Sequence, residues 1–349
     1  MRKSLRNKMK EDSLAAIAKI SGVSIATVSR VLSGKAEQAR ISKATVEKVY
    51  AAASELNYSP AILARSLRND RSKMIGLLLP SVSNPYFAEI ASIVIAECRL
   101  RGYTIMMMDS AEDEKLFHKS ISAMVMRNVD GIIAVPCGTQ PLFMEKISRE
   151  YCPIVMIDRY YKDCKLSYVT TDNYQGGVIA TRKLLDAGHR SIACIQGEIS
   201  SMPNYERVSG YLDTMKEAGS EDRCLVCGNA FSIENGYREA KAILNSKYNP
   251  TAFFTLSNTI TLGAIQAIKE KGLEIGKDIS IISFDNNVSL RFFTPSVTMI
   301  SQPVYDMAKV AVQILMKAIE ESGEDNKSFT HLRLAPSVIE GQSISPCGI

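Results

Sequence analysis

Residues 13–34 read SLAAIAKISGVSIATVSRVLSG, and the organisation of the chain follows from them. Ser13 and Ser24 each place a side-chain oxygen at a helix start, where it accepts from a backbone N–H that no helical carbonyl reaches. Leu14, Ile17, Ala18 and Ile20 fall at helical spacing, giving the first helix an apolar face. Gly22 supplies the turn, because a residue without Cβ enters the left-handed region at no steric cost. Val28, Val31 and Leu32 repeat the pattern in a second helix, whose other face, Ile25, Ala26, Thr27, Ser29, Arg30 and Ser33, is short, hydroxylated and basic. That face suits duplex DNA: hydroxyls bond base edges or phosphates, arginine forks onto guanine, and a small apolar group meets the thymine methyl. A helix hairpin with a merely solvated outer face has the same spacing, so the rest of the chain must decide.

Charge supports the first reading. The chain carries a formal net charge of +5, but residues 1–73 hold 15 Lys and Arg against 6 Asp and Glu, and the remainder is net negative at −4. A basic segment beside a DNA-reading face releases counterions from phosphates, so binding is expected to weaken steeply with salt. Residues 1–12 read as a disordered basic arm. The N-terminus has no apolar stretch behind its basic residues and no run approaches the ~18 apolar residues of a membrane span, which places the protein in the cytoplasm. With 349 residues, 46% of them hydrophobic and 23% charged, the chain suits two or three globular domains. The eight cysteines read as reduced, mostly buried thiols. Cys224 and Cys227 have a metal-like spacing but no second ligand pair, so they read as buried strand cysteines and no metal is expected.

Ser42 caps a third helix bearing Val46, Val49 and Leu56 on one face. It ends near Asn57, before Tyr58-Ser59-Pro60, since a residue preceding proline avoids helical geometry. Residues 61–69, AILARSLRN, are long enough for about two helical turns, too few to be stable alone in water. From Met74 short apolar strands, expected at 75–79, 104–108, 131–135, 154–157, 191–195, 252–256 and 279–284, alternate with helices at 86–101, 176–187, 205–218, 233–245, 261–271 and 304–320. This alternation makes parallel sheets covered on both faces, and so many strands call for two lobes.

In such sheets ligands sit beyond the carboxyl ends of the strands. That rule nominates residues 81–87, Asp109 and Ser110, residues 136–138, Asp158 and Arg159, Asp172, Ser257 and Asn258, and residues 285–287. The set is rich in carboxylates and amides with an aromatic edge, which suits a hydroxylated ligand.

GVSIATVSRVLSG (22–34), ISKATVEKVYAAASELNYSPAILARSL (41–67) and IGLLLPSVSNPYFAEI (75–90) closely resemble the LacI/GalR family of bacterial transcription regulators. The resemblance implies an all-α helix-turn-helix headpiece (13–59), a hinge helix and linker (60–71), and an α/β two-lobed, periplasmic-binding-protein-like (type I) core (72–349). The first lobe would comprise 72–170 and 297–334 and the second 171–296 with the C-terminal segment, with chain crossings near Thr171, Pro295 and Ala335.

The same resemblance implies a homodimer on a roughly palindromic double-stranded DNA operator. Contacts would come from Ser13, Ser24, Ser42 and the outer face of the second helix, from Tyr58, Ala64, Arg65 and Arg68, and from Leu67 wedged into the minor groove. No leucine heptad is appended after the last strand, which favours a dimer over a tetramer. For a sugar or sugar-derived effector it points to Asn84, Tyr86, Phe87, Arg207 in NYERVSGY, Asp285 in SFDN and Gln302 in ISQP, alongside Asp109, Asp158, Arg159, Ser257 and Asn258. Two positions depart from the family pattern. Ser257-Asn258 stands where most members have Asn-Asp, which removes a strong acceptor, and Ala16 replaces a first-turn aspartate. The rival readings are an enzyme and a sugar-binding protein without DNA function. The three histidines, His118, His189 and His331, lack catalytic or metal-pair spacing, so no catalytic residue and no cofactor is expected. The basic headpiece argues against the second rival.

Overall fold

The computed structural model describes residues 14–32, 36, 39–55, 71–321 and 328–347. These fall into two units, the N-terminal helices and the two-lobed core.

In the first unit, helix α1 (Leu14–Ser21) and helix α2 (Ile25–Leu32) meet at 104°. Between them Gly22 has φ +67°. Ser24 Oγ accepts from Thr27 N at 3.1 Å, the N-cap expected of it. Ser42 does the same for α3 (Lys43–Glu55), accepting from Thr45 N at 3.2 Å. Leu14, Ile17, Ala18, Val28, Val31, Val49, Ala52 and Ala53 form the core of this unit. Ile20, expected on the apolar face, is instead exposed, because at ~100° per residue it falls roughly 100° around the helix from the middle of the Leu14, Ile17 and Ala18 stripe. Ser13, Ser33, Leu56, Tyr58, Ala64, Arg65, Leu67 and Arg68 lie outside the described residues or side chains.

The core alternates strands and helices: β1 (Met74–Leu79), α4 (Pro85–Leu100), β2 (Thr104–Asp109), α5 (Glu114–Met126), β3 (Gly131–Ala134), α6 (Leu142–Glu150), β4 (Ile154–Ile157) and β5 (Ser167–Thr171). There follow α7 (Asn173–Asp186), β6 (Ile192–Ile195), α8 (Met202–Glu217), β7 (Cys224–Cys227), α9 (Ile233–Leu244), β8 (Ala252–Thr255), α10 (Asn258–Glu270) and β9 (Ser280–Phe284). The chain closes with a one-turn helix α11 (Val288–Arg291), β10 (Thr298–Ser301), α12 (Val304–Glu320), β11 (His331–Leu334) and β12 (Ser337–Ile339). Two six-stranded sheets result, ordered β11-β5-β4-β3-β1-β2 and β12-β10-β9-β8-β6-β7. The pairings β1–β3, β3–β4, β8–β9 and β6–β8 are parallel, and β12 runs antiparallel to β10.

Strands β3, β4, β6, β8 and β9 are buried along their whole length, as helices on both faces of a parallel sheet require. Each fully buried Leu or Ile there contributes about 1.5–3 kcal/mol relative to exposure. Sheet membership fixes the chain crossings: β5 is in the first sheet and α7 begins the second lobe, while β11 and β12 lie in different sheets on either side of Ala335 and Pro336. The middle crossing differs from expectation. β10 pairs with β9, and α12 buries Met307, Ala311, Val312 and Leu315 in the first lobe. The chain therefore crosses at Gln302 and Pro303, and residues 297–301 belong to the second lobe. Pro295 is a loop residue before β10.

Helices α5 and α6 and strands β5, β10, β11 and β12 were not expected, whereas β7 is the strand expected to carry Cys224 and Cys227. The unexpected strands are three to five residues long and several are polar or half-exposed, so their hydrophobic signal is weak. Cys224 and Cys227 sit on β7 half-buried rather than buried, because β7 is a sheet edge.

Candidate functional site

On α2, Val28 and Val31 face inward, which leaves Ile25, Ala26 and Arg30 exposed and Thr27 and Ser29 half-exposed on the opposite side. The oxygen of Ser24 is committed to its cap and to Thr27 Oγ1 at 2.9 Å. The outer face of α2 is thus preorganised by a small core and by a capped helix start.

The second site is built from strand ends. β4 and β9 each terminate in an aspartate with positive φ, Asp158 at +66° and Asp285 at +75°, a conformation that Asp tolerates better than most residues. Both are 4% exposed. Burial pushes both carboxyls above the ordinary range, and Arg207 draws each back. Tyr86 Oη donates to Asp158 Oδ1 at 2.6 Å. Burial and the two carboxylates raise the Tyr86 phenol well above its usual value, so it stays a donor. Gln302 Nε2 donates to Asp285 Oδ1 at 2.7 Å, and Gln302 Oε1 accepts from Thr171 Oγ1 at 2.5 Å. Two of the chain crossings therefore bond to one another at the site.

Arg207 lies in the first turns of α8, 3% exposed. Its Nε donates to Asn173 Oδ1 at 2.8 Å and its Nη1 to the Leu256 carbonyl at 2.7 Å, while the guanidinium lies 3.6 Å from the centre of the Phe284 ring. Helices α7 and α8 approach closely enough to hold it because Gly177 and Gly210 face each other: a Cβ on Gly177 would overlap the Arg207 carbonyl, and one on Gly210 the Tyr174 carbonyl. Arg159 forks onto Glu112 at 2.6 and 2.8 Å and lies 5.9 Å from the Phe87 ring and 5.4 Å from the Phe231 ring, one aromatic from each lobe.

These groups enclose a cavity of about 20 Å³, space for about one water. Asn84, Tyr86, Phe87, Asp158, Arg159, Arg207, Ser257, Asp285 and Gln302 line it, all nominated by the sequence. Asp109 does not. It is exposed, and its carboxylate accepts from Val82 N and Ala111 N at 2.8 and 2.7 Å, clamping the loop instead. Asn258 is not on the wall either, but is wholly buried behind it, donating from Nδ2 to Asn84 Oδ1 at 3.4 Å across the lobes. Since Asn84 Oδ1 also accepts from Tyr86 N, the Asn258 amide orientation is fixed and its Oδ1 is left buried without a partner. Ser201, Pro203 and Phe231 also line the cavity and were not nominated. They follow β6 and β7, so the strand-end rule, carried to those strands, finds them.

Behind the cavity the lobes are bridged again. Tyr160 Oη donates to Glu206 Oε1 at 2.7 Å, Arg333 Nη1 donates to the same oxygen at 2.6 Å, and Arg333 Nη2 donates to Tyr160 Oη at 2.8 Å. Tyr160 also stacks on Tyr168, and Tyr168 on His331, at 4.3 and 4.4 Å. Neighbours in sequence thus serve the cavity and the bridge in turn: Asp158 and Arg159 then Tyr160, Glu206 then Arg207. Among the described residues no cluster of His, Cys, Asp or Glu could hold a metal ion, and no single helix is long and apolar enough to cross a membrane.

Residues 13–61 match the family model for bacterial regulatory proteins of the lacI family, and residues 181–344 that for a periplasmic binding protein-like domain. The chain is 34% identical over 334 residues to the HTH-type transcriptional repressor PurR of Klebsiella pneumoniae, covering 94% of this chain and 96% of that protein. It is 31% identical over 329 residues to the ribose operon repressor of Haemophilus influenzae, covering 94% and 97%. Among solved structures, a putative ribose operon repressor from Burkholderia thailandensis superposes with a TM-score of 0.68 at 30% identity, covering 77% of this chain and 99% of that one. A DNA-binding helix-turn-helix joined to a two-lobed ligand-binding core, shared over nearly the full length with repressors, makes this chain a member of the LacI family of bacterial transcriptional regulators.

Proposed function

We propose that the protein binds its operator as a homodimer in the cytoplasm, with α2 of each subunit in the major groove of one half-site, and that its effector is a neutral sugar or sugar derivative held between the lobes. One observation carries the effector class: two buried carboxylates, Asp158 and Asp285, one from each lobe, converge with Arg207 between the Phe87 and Phe231 rings. Carboxylates accept from pairs of hydroxyls and the rings cover the apolar faces of a sugar. Arg159 is already engaged by Glu112, so the remaining charges favour an uncharged ligand over a phosphate or a uronate. Effector binding that changes the lobe arrangement is linked to DNA affinity through one coupling free energy.

A thermal-shift screen of the full chain against sugars, sugar phosphates, uronic acids and purines tests this reading. A neutral sugar at a hundred times its dissociation constant adds about 2.7 kcal/mol, a rise of a few degrees in Tm. DNA titrations with and without the hit then give the sign of the response. Stabilisation by a purine or a sugar phosphate and by no neutral sugar would reject the assignment. The hinge contact at Leu67 is tested separately: Leu67→Ala should weaken operator binding and reduce bending without altering the unfolding of the core.

A further inference from the structure

On the side of the second lobe that carries α7 and α8 lies an open groove of about 650 Å³, which shares no wall residue with the cavity between the lobes. Its floor is a stripe of α8. Tyr205, Glu206, Ser209, Leu212 and Asp213 recur at the three-, four- and seven-residue intervals of one helical face. Asp172 and Tyr174 at the start of α7, and Arg333 of β11 from the first lobe, complete the wall. Tyr174, Tyr205 and Leu212 are all exposed, so the groove is edged with uncovered aromatic and apolar surface.

The polar groups of the groove are acceptors short of donors. Asp172 Oδ1 accepts from Gln175 N at 3.0 Å and Asp213 Oδ2 from Tyr174 Oη at 3.1 Å, and the second oxygen of each has no donor among the described residues. Glu206 is 7% exposed; its Oε1 accepts from Tyr160 Oη and Arg333 Nη1, while its Oε2 is buried with no partner. A buried carboxylate oxygen left without a donor is costly, and an N–H entering the groove supplies one. Three carboxylates face a single cation, Arg333, so the wall is net negative. Glu206 and Asp213 stand about 10 Å apart along the helix axis, with Ser209 and Leu212 between them. Two acidic ends joined by an apolar, aromatic-edged middle are the complement of a chain of methylenes with an amino group at each end. Ammonium N–H groups donate to the carboxylates, tyrosine faces attract the cation, and the methylenes cover Leu212.

We propose that this groove is a second ligand site, for a linear diamine or polyamine. One amino group donates to Glu206 Oε2 at the inner end and another to Asp213 at the outer end, with Asp172 adding negative charge. Glu206 and Arg333 belong to different lobes and already bond to one another, so an amine seated on them steadies that bridge and is linked to the lobe arrangement. The site lies outside the cleft and stands independently of the sugar reading above.

The test is calorimetric titration of the full chain, without DNA and at fixed ionic strength, with putrescine, spermidine, butylamine and magnesium chloride. Putrescine or spermidine should bind saturably, one per subunit, and about tenfold more tightly than butylamine, which reaches only one end. Asp213 and Tyr205 are exposed, so substitutions there leave the fold in place. Asp213→Lys should weaken the amine about tenfold, and Tyr205→Ala about threefold through the lost ring face. Glu198→Lys makes the same charge change at the mouth of the cleft and should leave the affinity within about twofold, because salt screens distant charges. Absence of saturable binding, butylamine binding as tightly as the diamine, or displacement by magnesium at equal charge overturns the site. So does an affinity that Asp213→Lys leaves unchanged or that falls in Glu198→Lys instead, since the amine then binds elsewhere.

Discussion

The headpiece and the core use their interiors in opposite ways. In the headpiece eight small apolar side chains hold three helices, and the groups suited to DNA lie outside, with Ile25 45% exposed. In the core the groups suited to a ligand are themselves inside, ionisable and 3–6% exposed. Their glycines differ in the same sense. Gly22 has open space around its missing Cβ and is needed for its positive φ, whereas Gly177, Gly210, Gly236 and Gly263 are helical and needed for room, because a Cβ on any of them would overlap a backbone carbonyl of the facing helix. An exterior site can change without disturbing the unit that carries it. An interior site cannot.

The largest expected effect is in the core. Gly210→Val drives a side chain into the Tyr174 carbonyl, and since backbone must yield rather than a flexible side chain, the loss should reach about 3 kcal/mol or more. Denaturant unfolding of the core should move accordingly, and an unchanged midpoint would break the claim that α7 and α8 are in contact there. In the headpiece, Ile17→Ala removes a fully buried side chain at about 2–5 kcal/mol, more than so small a unit can spare. DNA binding should be lost while the main unfolding transition stays in place; a parallel drop in both transitions would mean that the two regions do not fold separately.

A smaller effect sharpens the exterior half of the comparison. Arg30→Ala should leave both transitions unchanged but reduce the slope of log affinity against log salt by about 0.9 for a random-sequence duplex. An unaltered slope removes Arg30 from the phosphate contacts.

The two regions were also legible to different degrees. Ser24, Gly22 and Val28 act on neighbours within a few residues, so capping, turning and packing could be read from the string. Ile20 was misplaced because apolar identity alone does not fix which side of a short helix is covered. The cavity joins residues as far apart as Asn84 and Gln302, yet nine of its wall residues were found: seven because strand ends converge in a parallel sheet wherever the strand itself is strongly apolar, and Arg207 and Gln302 through the resemblance to the family. The rule missed Ser201 and Pro203 after β6 and Phe231 after β7 because it was not carried to those strand ends, and β10, whose strand was not expected, hid the middle crossing. Asp109 shows the opposite error. It stands at a strand end, but β2 is an edge strand, and its carboxylate is consumed by two backbone N–H groups, that of Ala111 in its own loop and that of Val82 in the loop after β1.

The smallest expected effect bears most directly on the interior half. Asp158 is buried, and burial raises its carboxyl above the ordinary value while Arg207 and Tyr86 oppose the rise. The folded protein therefore holds that proton more tightly than the unfolded chain. The stability it contributes is fully present below the unfolded carboxylate pKa and is lost as pH rises through the higher folded value. In Asp158→Asn the new amide cannot ionise, still accepts from Tyr86 Oη, and tolerates the left-handed backbone as well as aspartate does. This variant should thus be slightly more stable than wild type at pH 7 in the absence of effector, and the gap should close as pH falls towards the ordinary carboxylate range. The same substitution should weaken sugar binding, since a charged acceptor is replaced by a neutral one. Thermal unfolding at pH 7 and near pH 4 reads the first effect and titration with a bound sugar the second. A variant that is less stable at pH 7 would show that Arg207 outweighs burial, so that the site is held together by its charges even when empty. A more stable variant with weakened binding would show that stability has been given up at this position to keep a carboxylate facing the ligand.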